Sequence, residues 1–466
     1  MLLSRRSLLA GAATLAAAAS LPRLTRAADS RRTLRMQTRQ IEVGGKAATR
    51  YGVIQPSGAF GLMLDEGDEL DVVVENALPA PSGLHWHGLT EPWRLDGVPY
   101  LSAPPIAPGG AVAYRFPAIP PGTRFMHSHF GLQEQDLLAS PLIIREKSAA
   151  ASGAQEVVLF LEDFSWTDSQ TLFDNLRKPK AGGMDMSNAD MSKNASPDLN
   201  DVDYDAFLAN DRTLDDPEII DVERNGEVRL RIINAAASTN FTVDFGGNEG
   251  SLVSVDGNPI VPLTVKRLPL AVAQRADIVL RMPADGTAVP VFAVGEGRKL
   301  RTGIVLRPPG ASVASLSSEA PDPGPIVGLE LEAGLVATQP LPAKPIDNSI
   351  PVDLTGTMTG YIWGMTVNDQ GGLPATIDKG QRVELIMRNR TMMAHPMHLH
   401  GHVFQVVEID GKPLQGAVRD SVLVAPKATV RVVFDADNPG LWAFHCHNLY
   451  HMAAGMFATV VYRAFS

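Results

Sequence analysis

One short pattern occurs three times in this 466-residue chain. Gly67-Asp-Glu-Leu-Asp-Val-Val-Val-Glu-Asn76 reads as a turn, then a strand of alternating apolar and polar residues, then an asparagine. Gly226-Glu-Val-Arg-Leu-Arg-Ile-Ile-Asn234 and Gly380-Gln-Arg-Val-Glu-Leu-Ile-Met-Arg-Asn389 repeat it. A second strand follows each copy: Val112-Ala-Tyr-Arg-Phe116, Ala276-Asp-Ile-Val-Leu280 and Val430-Arg-Val-Val-Phe434. Alternation of this kind marks a half-buried strand. The spacing divides the chain into three homologous units of about 150 residues. The 41 glycines and 35 prolines favour short strands joined by turns over long helices. The chain is therefore predicted to be all-β, with three Greek-key β-sandwich domains at 33–147, 154–307 and 326–466. The Ala/Ser-rich stretch 148–153 and the Pro/Gly/Ser-rich stretch 308–325 read as linkers. Residues 178–200 read as a polar loop inside the second unit.

All eleven histidines and the only cysteine fall in four clusters. They are His85-Trp-His87-Gly88, His127-Ser-His129, His395-Pro-Met-His398-Leu-His400-Gly-His402, and His445-Cys446-His447 followed by His451 and Met456. Imidazole and thiolate are ligands that suit copper. Cys446 has no partner for a disulfide, and its place between two histidines marks a metal ligand rather than an inert core thiol. Successive side chains on a strand point to opposite faces. The thiolate therefore faces one way and both imidazoles the other, so one tripeptide serves two metal sites. His395, His451 and Met456 beside Cys446 complete a His₂Cys set with a thioether, the mononuclear blue-copper set.

The repeat aligns the remaining ligands. His85 matches His398, His87 matches His400, His127 matches His445 and His129 matches His447. The first unit carries Ser82, Ser128, Gln133 and Leu138 where the third carries His395, Cys446, His451 and Met456, so only the third has the blue site. The middle unit has no histidine. Two copies facing each other about a pseudo-twofold axis bring eight imidazoles together, enough for three further metals. Pairing His85 with His398, and dividing the other six into two sets exchanged by the axis, is one of several partitions the symmetry permits.

The net charge is −10. The first 27 residues carry Arg5, Arg6, Arg23 and Arg26 and no acid, so the chain without them is more acidic still. That excludes nucleic acid and anionic membrane surfaces as partners, which need basic patches. Ser4-Arg5-Arg6-Ser7-Leu8-Leu9, an apolar run to Leu21 and then Thr25-Arg26-Ala27 read as a twin-arginine signal peptide over 1–28. An exported, periplasmic protein follows. No later segment is long and apolar enough for a membrane span. The oligomeric state has no signature in the sequence.

H-W-H-G, H-S-H, H-P-x-H-L-H-G-H and H-C-H-x₃-H-x₄-M, in this order, resemble the four copper motifs of the multicopper oxidases. The resemblance covers essentially the whole chain after the signal. It implies three cupredoxin-like domains and four copper ions. The type 1 ion falls to His395, Cys446, His451 and Met456, and the type 2 ion to His85 and His398. The type 3 pair falls to His87, His127, His447 and to His129, His400, His445. The implied reaction couples four one-electron oxidations of a small reducing substrate, or of Cu(I), to reduction of O₂ to two waters. Asp96, in Leu95-Asp96-Gly97, matches an acidic residue near the type 2 copper and is a candidate proton relay. His402 matches no ligand position, and Met452 stands where many bacterial relatives carry glutamate. Gln133-Glu134-Gln135 and His447-Asn-Leu-Tyr-His451-Met look like the copper-resistance branch. Met184, Met186 and Met191 add thioethers that select Cu(I). The substrate is thus a phenol or aromatic amine, as for a laccase, or the cuprous ion. An exported copper-sequestering cupredoxin protein without turnover is the alternative from outside the enzymes.

Overall fold

The computed structural model describes residues 31–178, 199–368 and 374–463. The repeated sequence becomes Glu69–Asn76, Glu227–Asn234 and Arg382–Asn389, each an inner strand of one sheet of a two-sheet sandwich. Each pairs antiparallel with its second repeated segment, Ala111–Pro117, Arg275–Arg281 and Thr429–Asp435 respectively. The facing sheets also share one strand order. In the first sandwich it runs Leu62–Asp65, Ala139–Arg145, Gly122–Ser128, Leu84–His87. In the third it runs Ala375–Ile377, Phe457–Tyr462, Leu441–Cys446, His395–Leu399, with Ser421–Val424 added at the edge. The middle sandwich repeats the order of the third.

The asparagine that closes each repeat has a structural cause. The Asn76 amide donates to the carbonyls of Ala80 and Ile106, and its oxygen accepts from the Leu78 N–H. Asn234 donates to Thr239 and Leu270 and accepts from Ala236. Asn389 donates to Met393 and Val424 and accepts from Thr391. In each sandwich one buried side chain satisfies backbone groups that no ladder reaches, as buried polar groups require. The loop so braced leads to His85 in the first sandwich and to His395 in the third.

Each sandwich encloses its own apolar core. Trp86 lies in the first, Leu230 and Phe241 in the second, and Trp442, Cys446 and Met456 in the third. The stretch expected as a linker at 148–153 contains a short helix, Lys147–Ser152, ended by Gly153 in the left-handed conformation. Leu335 and Ala337 pack against or pair with the middle sandwich, although the sequence places them in the third unit.

Candidate metal centre

Strand register brings the motif histidines into line. His85 pairs with His127 across neighbouring strands of the first sandwich, and His398 pairs with His445 across the equivalent strands of the third. The side chains at 86 and 446 therefore enter the cores, while the flanking imidazoles face the opposite sandwich.

Ligand atoms lie within 4.8 Å of one another in five overlapping groups among the described residues: His87, His127 and His447; His129, His400 and His445; His395, Cys446 and His451; His85, His87 and His398; and His85, Asp96 and His400. The three groups made of histidines alone each draw on two sandwiches. His127 Nε2 lies 3.4 Å from His447 Nε2, and His445 Nε2 lies 3.2 Å from His129 Nε2 and 3.0 Å from His400 Nε2. The rings of His85 and His398 lie 5.8 Å apart by their centroids. All of these residues are buried, with His129 only partly so.

The donor set fits copper on a direct observation. Nε2 of His85 and of His398 is buried with no hydrogen-bond partner, while the other ring nitrogen of each is held by main-chain oxygen, Asp96 O at 3.1 Å and Asp420 O at 2.8 Å. Nδ1 of His87 is likewise buried and partnerless, and its Nε2 faces Asp420 Oδ1 at 3.1 Å. Buried nitrogens without partners are costly unless a ligand takes them, and metal-ligating imidazoles are usually oriented through the opposite nitrogen. Burial and neighbouring imidazoles push His87, His129, His398, His400 and His447 well below the usual histidine range, which keeps them neutral as ligands must be.

In the third core, Cys446 Sγ lies 3.7 Å from His395 Nδ1 and 3.6 Å from His451 Nδ1. Met456 is buried there, and its backbone bonds both His451 and Cys446. Burial pushes the Cys446 thiol up, so a thiolate at this place needs a cation beside it. The equivalent place in the first sandwich is closed by hydrogen bonds. Ser82 and Ser128 both donate to Gln133 Oε1, at 2.7 and 2.8 Å, and Leu138 fills the core beside them.

Asp96 lies against His85 and His400. Its carboxylate is 2.9 Å from His85 Nδ1 and 3.1 Å from His400 Nδ1. His402 stands apart. Its ring bonds the His400 carbonyl and the Tyr462 hydroxyl, so it braces the loop. Met452 is half-buried on the short helix Leu449–Ala453. Met184, Met186 and Met191, and the signal at 1–28, lie outside the described residues.

Four carboxylates at the site escaped the sequence reading. Glu91 is buried beside Asp96, and burial first, then the Asp96 charge, raises it well above the usual range. Glu134 Oε2 is 3.4 Å from His127 Nδ1, and its Oε1 is 3.8 Å from His447 Nδ1. Asp201 Oδ2 is 3.0 Å from His451 Nε2. Asp420 accepts from Arg275 through both oxygens and from Arg124, tying the three sandwiches together behind His87.

Known proteins resemble this chain over most of its length. Residues 38–149, 155–303 and 344–465 each match a family model described as multicopper oxidase. The chain is similar to the multicopper oxidase MmcO of Mycobacterium tuberculosis, at 33% identity covering 91% of this chain and 85% of the relative. It is also similar to copper resistance protein A of Escherichia coli, at 27% identity over 85% and 86% of the two chains. Among solved structures it superposes on a multi-copper oxidase from Pseudomonas thermotolerans with a TM-score of 0.69, at 26% identity over 92% and 98% of the chains. It has the same fold as Fet3p, a multicopper oxidase of iron import, with a TM-score of 0.75 at 19% identity over 92% and 90%.

Proposed function

This chain belongs to the multicopper oxidase family, and from that premise we propose that it holds four copper ions in the ligand groups just described. His395, Cys446, His451 and Met456 take the type 1 ion, and His85 and His398 the type 2 ion. His87, His127 and His447 take one type 3 ion, and His129, His400 and His445 the other. The observation that supports this assignment is the gathering of His87, His127 and His447, of His129, His400 and His445, and of His395, Cys446 and His451 within 4.8 Å, with His85 and His398 offering buried, partnerless Nε2 atoms beside them. When bound, copper supplies one-electron redox chemistry, by which single electrons taken from a reducing substrate are delivered four to each O₂ and two waters leave.

The chain's own residues organise this chemistry. Cys446 links the electron-entry site covalently to His445 and His447, so the two sites share one tripeptide. Asp96 orients His85 and His400 through Nδ1, and burial and the Asp96 charge raise Glu91 behind it well above the usual carboxylate range. Together they can keep a proton beside the cluster, as general acid chemistry needs.

Cu(I) is the substrate that the entry site favours. Neither His395 nor His451 reaches the surface. The outward nitrogen of His451 meets Asp201, and Trp363 covers its ring at 4.1 Å between centroids. A bulky phenol therefore has no imidazole edge to touch, and the carboxylate against His451 is itself buried, so a small cation rather than an aromatic ring suits the site. Residues 199–201 follow the segment bearing Met184, Met186 and Met191, whose thioethers suit Cu(I). Export to the periplasm by the twin-arginine signal at 1–28 is part of the same reading. No helix among the described residues is long and apolar enough to cross a membrane.

The test is direct. Copper-loaded protein is expected to show an intense visible band from Cys446 thiolate-to-copper charge transfer. It should also consume O₂ with buffered Cu(I) at a higher kcat/KM than with a phenol. A higher value for the phenol would reverse the substrate assignment. A fully loaded protein that consumes no O₂ with either donor would remove the oxidase reading.

A further inference from the structure

Strand Gln155–Phe164 alternates sharply in what it faces. Val157, Leu159 and Leu161 enter the core of the middle sandwich. Phe160 and Phe164 face the other way, into apolar clusters shared with Phe125, Ala139 and Leu137 of the first sandwich. Glu162 stands between these two phenylalanines on the same face. It is 1% exposed, and neither carboxyl oxygen has a hydrogen-bond partner among the described residues. An unpaired carboxylate in such a seam costs several kcal/mol, so a residue with no chemical task is not expected there.

The seam around it is lined by more such atoms. Arg39 pairs with Asp211, yet Arg39 Nη2 and Asp211 Oδ1 are both buried without partners, as is Glu134 Oε1. The groups whose charges act on Glu162 are Asp211, Arg39, Asp163 and Glu134. Asp163 is fully engaged, accepting from Ala237, Ser238 and Thr239. The open groups are therefore Asp211 and Arg39 toward the outside and Glu134 toward the histidines. Asp211 lines a cleft of about 570 Å³ between the first two sandwiches, together with Phe60, Gly61 and Asn210. Glu134 faces His127 and His447. Buried polar atoms gathered in this way are normally satisfied by internal water.

We propose that Glu162 is the middle of a hydrated proton path, leading from the Asp211 cleft to Glu134 and the histidine cluster. This rests on the oxygen-reducing reading above. Each O₂ that becomes two waters takes up four electrons and four protons. The electrons arrive through Cys446, so the protons need their own route. Glu162 gives one proton inward and regains one from the cleft, so its charge is unchanged over each transfer. Burial first, then Asp211, Asp163 and Glu134, with only Arg39 opposing, raises Glu162 well above the usual carboxylate range, which favours the protonated form. Phe160 and Phe164, in apolar clusters on the same strand face, flank Glu162.

Infrared spectra of the metal-free protein should show the C=O stretch of a protonated buried carboxyl at neutral pH, absent from Glu162→Gln. In copper-loaded enzyme, Glu162→Gln should slow reoxidation by O₂ about tenfold or more, with copper content and the rate of type 1 reduction unchanged. Glu162→Asp should restore part of the rate. Asp211→Asn, which keeps a residue tolerant of the left-handed backbone at this position, should slow reoxidation as well. Reoxidation of Glu162→Gln within twofold of the parent overturns the proposal, and so does the absence of the carboxyl band in the parent. If the parent itself consumes no O₂, the oxidase reading has failed, and the infrared band still reports the state of Glu162.

Discussion

At the scale of single residues, the first and third sandwiches show what a metal site requires beyond a shared fold. Ser82, Ser128, Gln133 and Leu138 occupy the places of His395, Cys446, His451 and Met456, and the first three close on one another by hydrogen bonds. The same backbone therefore supports either a ligand set or a sealed polar knot. Cys446→Ser should accordingly abolish the visible band and remove one copper, leaving the ions at the eight histidines. Copper analysis checks this, and loss of all copper would refute the separation of the sites. Under the proposed assignment Asp96 is expected to orient ligands, because its carboxylate meets Nδ1 of both His85 and His400. Removing such an orienting carboxylate typically lowers metal affinity about 10–100-fold. Asp96→Ala should lose copper to a chelator before the parent does, while the Cys446 band persists. Equal retention by variant and parent would count against an orienting role.

At the scale of elements, the asparagine that ends each repeat allows a controlled comparison. Asn389 braces the loop that delivers His395, and Asn234 braces the equivalent loop in a sandwich with no histidine. Each makes at least three buried hydrogen bonds, so truncation to alanine should cost about 2–4 kcal/mol. Asn389→Ala should lower the midpoint of thermal unfolding and shift the visible band. Asn234→Ala should lower the midpoint alone. A comparable spectral shift in both would show that the brace acts through general loosening. The same repeat made much of the architecture legible in advance, because strand alternation and a recurring Asn survive in linear order. The division between Cys446 and its neighbours was legible too, since alternation on one strand determines it. The orienting acids were not. Asp420 meets His87 across 333 residues of sequence, and Glu134, Glu91 and Asp201 follow no period. Nothing local distinguishes a carboxylate that folding carries to a metal site from one on a surface turn. The helix at 147–152 was missed for a related reason, since a six-residue Ala/Ser run has no apolar periodicity to read.

At the scale of the whole molecule, the ligands create a liability that metal and pH should expose. Burial lowers His87, His129, His395, His398, His400 and His447 well below the usual range, and His445 to about 3. In the unfolded chain the same imidazoles take up protons near pH 6.5. As pH falls below about 6, the unfolded state binds protons that the folded state refuses, so folding stability must fall. Glu91, Asp136, Asp163, Glu162, Glu296 and Glu332 act in the opposite sense. Their carboxyls are raised in the folded protein, and the stability they contribute is present at low pH and lost as pH rises. The imidazoles outnumber them, so the histidine term wins once the unfolded imidazoles are mostly charged. Each uncompensated proton is worth about 1.4 kcal/mol per pH unit. The metal-free protein should therefore unfold at progressively lower temperature between about pH 6 and about pH 4. Copper binds the neutral imidazoles of the folded state and should raise the midpoint throughout that range. A metal-free profile that is flat or rises toward pH 4 would mean that the buried carboxyls, rather than the ligand imidazoles, govern how this molecule responds to acid.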